Sequence, residues 1–180
     1  MRAAWLALLL VALPGCRKDD SRPAASEAID REVDHATNLV LAACKPDRDG
    51  ATSLRATTVA SAFSLALGVE AACAGSAKCK APAPSREREA SVRELPPESR
   101  RVLDDATAAI ERALTTSSGD GRARLEQALS TSRVALEQAL SLAKLCGNPA
   151  RISEVPEAMS KVNAARAASR AATKGLREGG

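Results

Sequence analysis

The chain has 180 residues, room for one ordinary domain at roughly 100–200 residues per domain. Hydrophobic residues make up 45% and charged residues 27%, a balance that fits a folded chain and not a disordered one. Aromatic residues are nearly absent, with one Trp, one Phe and no Tyr, and there is one His. No aromatic platform exists for stacking bases or sugars, and neither a catalytic triad nor a multi-histidine metal site can be assembled.

Arg2 supplies a positive start, and Ala3 to Leu13 is an uninterrupted apolar run. That length suits the core of a signal peptide and is too short to span a bilayer. The run ends in Leu13-Pro14-Gly15-Cys16 and turns sharply polar with Arg17-Lys18-Asp19-Asp20. These residues resemble the lipobox of bacterial lipoproteins, although Pro14 is a less usual occupant of its position. The resemblance covers residues 1–16 only. It implies removal of residues 1–15, together with Trp5, and diacylglyceryl and acyl (palmitate-type) modification of Cys16. A tether from Cys16 to about Ala24 would then join the membrane to the domain. Two or more acyl chains on one terminus make a stable anchor, at ~0.8 kcal/mol per buried CH₂. Arg17 rather than Asp after the cysteine favours, by the family's sorting habit, the periplasmic face of the outer membrane. The expected location is the bacterial cell envelope.

Processing leaves 25 basic residues against 22 acidic ones, near +3. That is too weak a charge to imply nucleic acid as a partner. With Cys16 acylated, Cys44, Cys73, Cys79 and Cys146 remain, and an even number in an oxidising compartment reads as two disulfides. Cys73 and Cys79 are close enough in sequence for a local bridge, which would pair Cys44 with Cys146; the other two connectivities stay open. The spacing lacks the C-x-x-C pattern of a metal or thioredoxin-like site, so no metal or cofactor is expected.

Ala24 to Cys44 is the first predicted helix, with Ile29, Val33, Ala36, Val40 and Ala43 on one stripe. Asp30, Arg31 and Asp34 lie off it. His35 falls on its border and reads as a boundary residue rather than a catalyst; ligation of haem by His35 and Met159 is the remote alternative. Pro46 and Asp47-Arg48-Asp49-Gly50 read as a turn, since the glycine comes too early for an EF-hand. The second helix, Thr52 to Cys73, is given a face of Leu54, Thr58, Ala62, Leu65, Val69 and Cys73. Val59 to Val69 is apolar or small nearly all round, which predicts the most buried helix of a bundle, with Phe63 as its only large ring.

Residues 74–97 form one long irregular segment holding Cys79 and an Ala-Pro-Ala-Pro run, with a short helix expected over Ser85 to Glu94. Glu98 to Ser117 is the third helix, with Val102, Ala106, Ile110 and Ala113 facing inward. It also carries Arg100–Asp104 and Arg101–Asp105 at i,i+4. Gly119-Asp120-Gly121 makes the turn to a fourth helix, Arg122 to Leu145, which stops at Cys146-Gly147-Asn148-Pro149. Ile110-Glu-Arg-Ala-Leu recurs as Leu125-Glu-Gln-Ala-Leu and Leu136-Glu-Gln-Ala-Leu. The last two copies set Leu125, Leu129, Leu136 and Leu140 beside Ala128, Ala135, Ala139 and Leu142. That is a stripe wide enough for two neighbours, and helices three and four read as a hairpin. The fifth helix, Pro156 to about Arg177, carries Ile152, Val155, Met159, Val162, Ala165, Ala172 and Leu176 toward the core. Arg166, Arg170, Lys174 and Arg177 line another face, which is either solvated or a contact for an anionic surface.

About a fifth of the chain is Ala, the best helix former. The expectation is an all-α, up-and-down bundle of four to five helices over residues 25–177, stapled by disulfides because small side chains bury little area. No residue set carries catalysis, so the chain reads as a non-enzymatic, lipid-anchored structural, adaptor or protein-binding protein. Its expected partners are the membrane and an envelope protein of unknown identity. The alternatives are a bundle that binds a small apolar ligand or senses envelope stress, and an immunity or inhibitor lipoprotein acting through the 74–97 segment.

Overall fold

A computed structural model describes residues 21–45, 50–76 and 92–178. The expected signal peptide, Cys16, the turn expected at 46–49 and Cys79 lie outside the described residues, as does most of the segment between the second and third helices. Five α-helices follow in order: α1 (Arg22–Ala43), α2 (Gly50–Ala74), α3 (Pro97–Thr116), α4 (Gly119–Cys146) and α5 (Val155–Glu178). A 3-10 turn, Pro149–Glu154, joins α4 to α5. Among the described residues there is no strand, and the chain is the all-α bundle its composition calls for.

Several boundaries move for local reasons. α1 starts at Arg22, not after Ala24, because Pro23 sits in its first turn, where its missing N–H costs nothing. The folded bundle therefore begins earlier than its sequence suggests, and Ala25 is already fully buried. Gly119-Asp120-Gly121 is not the turn but the start of α4. Gly119 has φ +52, a left-handed conformation that glycine adopts without strain, and the connection shrinks to Ser117-Ser118. The stop at Gly147-Asn148-Pro149 holds: the Asn148 side chain accepts from the Ala150 N–H at 3.1 Å and opens the 3-10 turn. Ile152, expected in the core, lies on that turn with 67% of its surface exposed. Of the short helix expected at 85–94, only its end at 92–94 is described, followed by a buried Leu95.

Contacts at the helix ends fix the direction of each helix. Ser21 Oγ meets Thr116 Oγ1 at 2.6 Å, so α1 begins where α3 ends. The Arg122 guanidinium donates to the carbonyls of Cys73 and Ala74 at 2.7 and 2.9 Å, and to that of Leu114. The start of α4 thus caps the C-terminal ends of α2 and α3. At the opposite end Gly147 lies against Ser53, and Cys44 is bonded to Cys146 with Cα atoms 5.1 Å apart. Ser99, in the first turn of α3, reaches His35 on α1. α1 and α4 therefore run one way and α2, α3 and α5 the other. The alternation of an up-and-down bundle is broken once, between α2 and α3, and the long connection is the crossover that permits it.

The packing also reorders the helices. α1 touches all four others and is the central helix. Its expected stripe of Ile29, Val33, Ala36, Val40 and Ala43 is buried throughout. α2 packs on α4, α1 and α3 and buries ten of its residues, and by length and composition it is apolar enough to cross a membrane. It buries Ala56, Val59, Ala60, Ala62, Phe63, Ala66, Leu67, Glu70 and Cys73, so the face read in the sequence is right at Ala62 and Cys73 and wrong at its leucines. Leu54 and Leu65 of that expected face are 69% and 40% exposed. α3 buries Leu103 rather than Val102, with Ala106, Ile110 and Ala113 as expected. Arg100 turns to the carbonyls of Arg93 and Leu95, and Asp105 lies 3.9 Å from Arg31, so neither serves as its i,i+4 partner. α3 packs on α1 and scarcely on α4, so the two are consecutive without being a packed hairpin. α4 carries the wide stripe and meets α1, α2 and α5.

Two apolar clusters result. The larger joins α1, α2, α3 and α4 with Leu176 of α5 around Phe63. The smaller sits at the disulfide end, built by Val40, Ala56, Ala60, Leu142 and Val162, and α3 contributes nothing to it. Alanines make up ten of the twenty-two buried residues of the larger cluster, which lets the axes approach toward ~8 Å.

Candidate functional site

The densest polar constellation runs along the contact of α1 with α5. On α1, Ser26, Asp30, Asp34 and Asn38 recur every four residues and form one edge. The antiparallel α5 answers with Arg177, Thr173, Arg170 and Arg166. Arg166 Nε donates to Asp34 Oδ1 at 2.7 Å and its Nη1 to Asn38 Oδ1 at 3.1 Å. Arg170 Nη2 donates to both Asp34 oxygens at 3.0 and 2.8 Å. Thr173 Oγ1 donates to Asp30 Oδ1 at 2.6 Å, Ser26 Oγ to the Thr173 carbonyl at 2.8 Å, and Arg177 Nη2 reaches Ser26 and Asp30 at 3.2 and 3.3 Å. One layer deeper, Ser132 of α4 and Ser169 of α5 share a fully buried hydrogen bond of 2.7 Å.

The two carboxylates of this seam titrate in opposite directions. Burial pushes Asp34 up, but hydrogen bonds and charge from Arg166 and Arg170 outweigh it, and the group sits below its ordinary value. Burial dominates at Asp30 and raises it, against the Thr173 hydrogen bond and the Arg177 charge. The four cations read as an anion-binding face are therefore brought together, but three of them point into the chain's own carboxylates. Only Lys174 is turned outward, 70% exposed and 3.7 Å from Glu178. The signal missed in the sequence was the four-residue repeat of small polar and acidic residues beside the α1 stripe.

Among the described residues, His35 and Ser99 form the one contact whose residue types suggest nucleophilic chemistry. His35 Nε2 lies 2.9 Å from Ser99 Oγ and its ring stacks on Phe63 at 5.9 Å between centroids. Ser99 is only 2% exposed, so no substrate carbonyl can approach its oxygen. The pair ties α3 to α1. Met159 packs against the smaller apolar cluster, while His35 stacks on Phe63 of the larger one, so the two are not brought together as a haem-ligand pair. Among the described residues, no group of three or more His, Cys, Asp or Glu is placed to hold a metal ion.

Cys44–Cys146 is the pairing the sequence favoured. Cys73 is disulfide-bonded as well, while Cys79, its expected partner, lies outside the described residues. Two surface grooves flank α4. One, of about 500 Å³, runs between α4 and α5 past Arg124, Gln127, Thr131, Ala168, Ala171 and Gly175. The other, of about 460 Å³, lies between α2 and α4 along Leu65, Gly68, Val69, Ala72 and the Arg133–Glu137 ion pair. Both are shallow and open.

No family model, curated protein or solved structure matches the chain.

Proposed function

We propose that the chain is a lipid-anchored helical bundle of the bacterial envelope with a structural, adaptor or protein-binding role and no catalysis of its own. The observation that carries the reading is the use made of its chemistry-bearing side chains. Asp30, Asp34, His35, Ser99, Ser132, Ser169 and Thr173 are all engaged between helices, where they hold one packing in place. Nucleophile and base, where they meet, are buried without a cleft. The lipobox-like Leu13-Pro14-Gly15-Cys16 supports the anchor, and the early start of α1 supports a bundle held close to its membrane.

The apolar-ligand alternative has less support, because alanine contacts draw the helices together and the two grooves are open to solvent. The test is cross-linking in intact cells, capture through the C-terminus and identification of what co-purifies. A single dominant envelope protein is the expected result. Recovery of lipid and bulk membrane protein alone, repeated across conditions, would refute the adaptor role. The inhibitor alternative predicts that deleting residues 80–94 leaves the fold intact and abolishes partner capture.

A further inference from the structure

We infer that the outer face of α2 rests on the bilayer that holds Cys16, at the boundary between headgroups and acyl chains. The inference depends on the lipoprotein reading and adds which surface the anchored bundle turns downward. Leu54, Thr58, Ser61, Leu65, Gly68 and Ala72 succeed one another at spacings of four and three, so they share the solvent side of α2. Leu54 and Leu65 are exposed there, and Gly68, Val69 and Ala72 line the adjoining groove. α2 carries two ionisable side chains besides its cysteine, and Glu70 is buried, which leaves Arg55 as the one exposed charge on a helix of 25 residues. The solvent faces of α3 and α5 are of another kind. Arg101, Asp104, Asp105, Glu111 and Arg112 line the first, and Glu157, Lys161, Lys174 and Glu178 the second.

The length of the tether selects the occupant. Five residues, 17–21, separate Cys16 from Arg22. Fully extended they reach about 20 Å, while α2 alone is about 37 Å long. The first turn of α1 leaves the bundle at the end where α2 finishes, since Arg22 packs on Gly121 and Arg122 holds the last carbonyls of α2. A bundle tied that short at the end where α2 and α3 finish cannot stand clear of the membrane, and of its outer faces that of α2 loses least on leaving water. Two exposed leucines bind a membrane weakly on their own. The acyl anchor makes their contact intramolecular, which is where weak contacts suffice.

Once Trp5 is removed the mature chain has no tryptophan, so a single introduced one reports its own surroundings. The acylated full-length protein would be reconstituted in phosphatidylethanolamine–phosphatidylglycerol vesicles carrying brominated acyl chains. The variants are Leu54→Trp and Leu65→Trp, with Ala168→Trp on the exposed side of α5 as the control. Blue-shifted emission and bromine quenching at 54 and 65, with neither at 168, is the expected result. Quenching at none or at all of the three positions, with the acyl mass present on Cys16, overturns the α2 contact and leaves the anchor standing. A blue shift at 65 without quenching, with chemical cross-linking to a dimer, assigns the face to a second copy and overturns it too. Absence of acyl mass on Cys16 overturns both the anchor and the contact.

Discussion

Asp34 shows how a single side chain decides between two readings of a surface. In the sequence it is a polar residue off the stripe of α1, and Arg166 and Arg170 are half of a basic face. In the fold it accepts from both guanidiniums and cancels that face. Replacing Asp34 with Asn is expected to cost about 1–2 kcal/mol at pH 7, since two charge-assisted bonds weaken at a partly exposed site. The sign with pH follows from its lowered folded value. The contribution is present above the ordinary carboxylate range and is lost as pH falls through the folded value. Asp30, raised by burial, works the other way: its protonation in acid favours the folded state. Urea midpoints from pH 3 to 7 should therefore show the wild type losing its advantage over Asp34→Asn as acid is added. Asp30→Asn should move the midpoint less at neutral pH. His35→Ala is expected to cost about 1–3 kcal/mol by leaving the buried Ser99 hydroxyl without its partner, read by the same titration.

At the scale of elements, α1 and α4 were the most legible: their buried residues follow the helical spacing of their Ile, Leu, Val and Ala almost position by position. α2 is apolar or small around most of its circumference, so its sequence holds no phase. Of the face assigned to it, Leu54 and Leu65 lie outside while Ala62 and Cys73 are buried. Phe63 was legible regardless of phase as the only ring available, and it is fully buried. Phe63→Ala is expected to cost about 3–5 kcal/mol, checked by chemical denaturation. α5 was legible only in part, because Ser169 and Thr173 occupy buried positions where an apolar pattern looks for Leu or Val. At the Ser132–Ser169 contact a single Ser→Ala is expected to cost about 1–3 kcal/mol, while the double Ala variant lies close to wild type, because only the single change strands a buried hydroxyl. A double-mutant cycle reads that difference directly.

Across the whole molecule, the thin alanine core makes covalent closure matter. Cys44 and Cys146 are 102 residues apart and tie the end of α1 to the end of α4. A loop of that size restrains the unfolded chain by about 4–5 kcal/mol. At about 2–4 °C per kcal/mol for a domain of this size, replacing both cysteines with serine should lower Tm by about ten degrees or more. An unchanged thermal melt would refute the dependence on the staple.

Composition and periodicity were enough by themselves to indicate an all-helical bundle of four to five helices, their approximate ends and the Cys44–Cys146 bridge. These are local properties: alanine content, proline and glycine stops, and the rarity of rings need no knowledge of neighbours. Tertiary structure alone decided which helix is central, that α2 and α3 run parallel, and that the α5 cations face α1. Each of those depends on which surfaces meet. A helix apolar all round, a crossover of more than twenty residues and a stripe of arginines all fit several arrangements until packing chooses one.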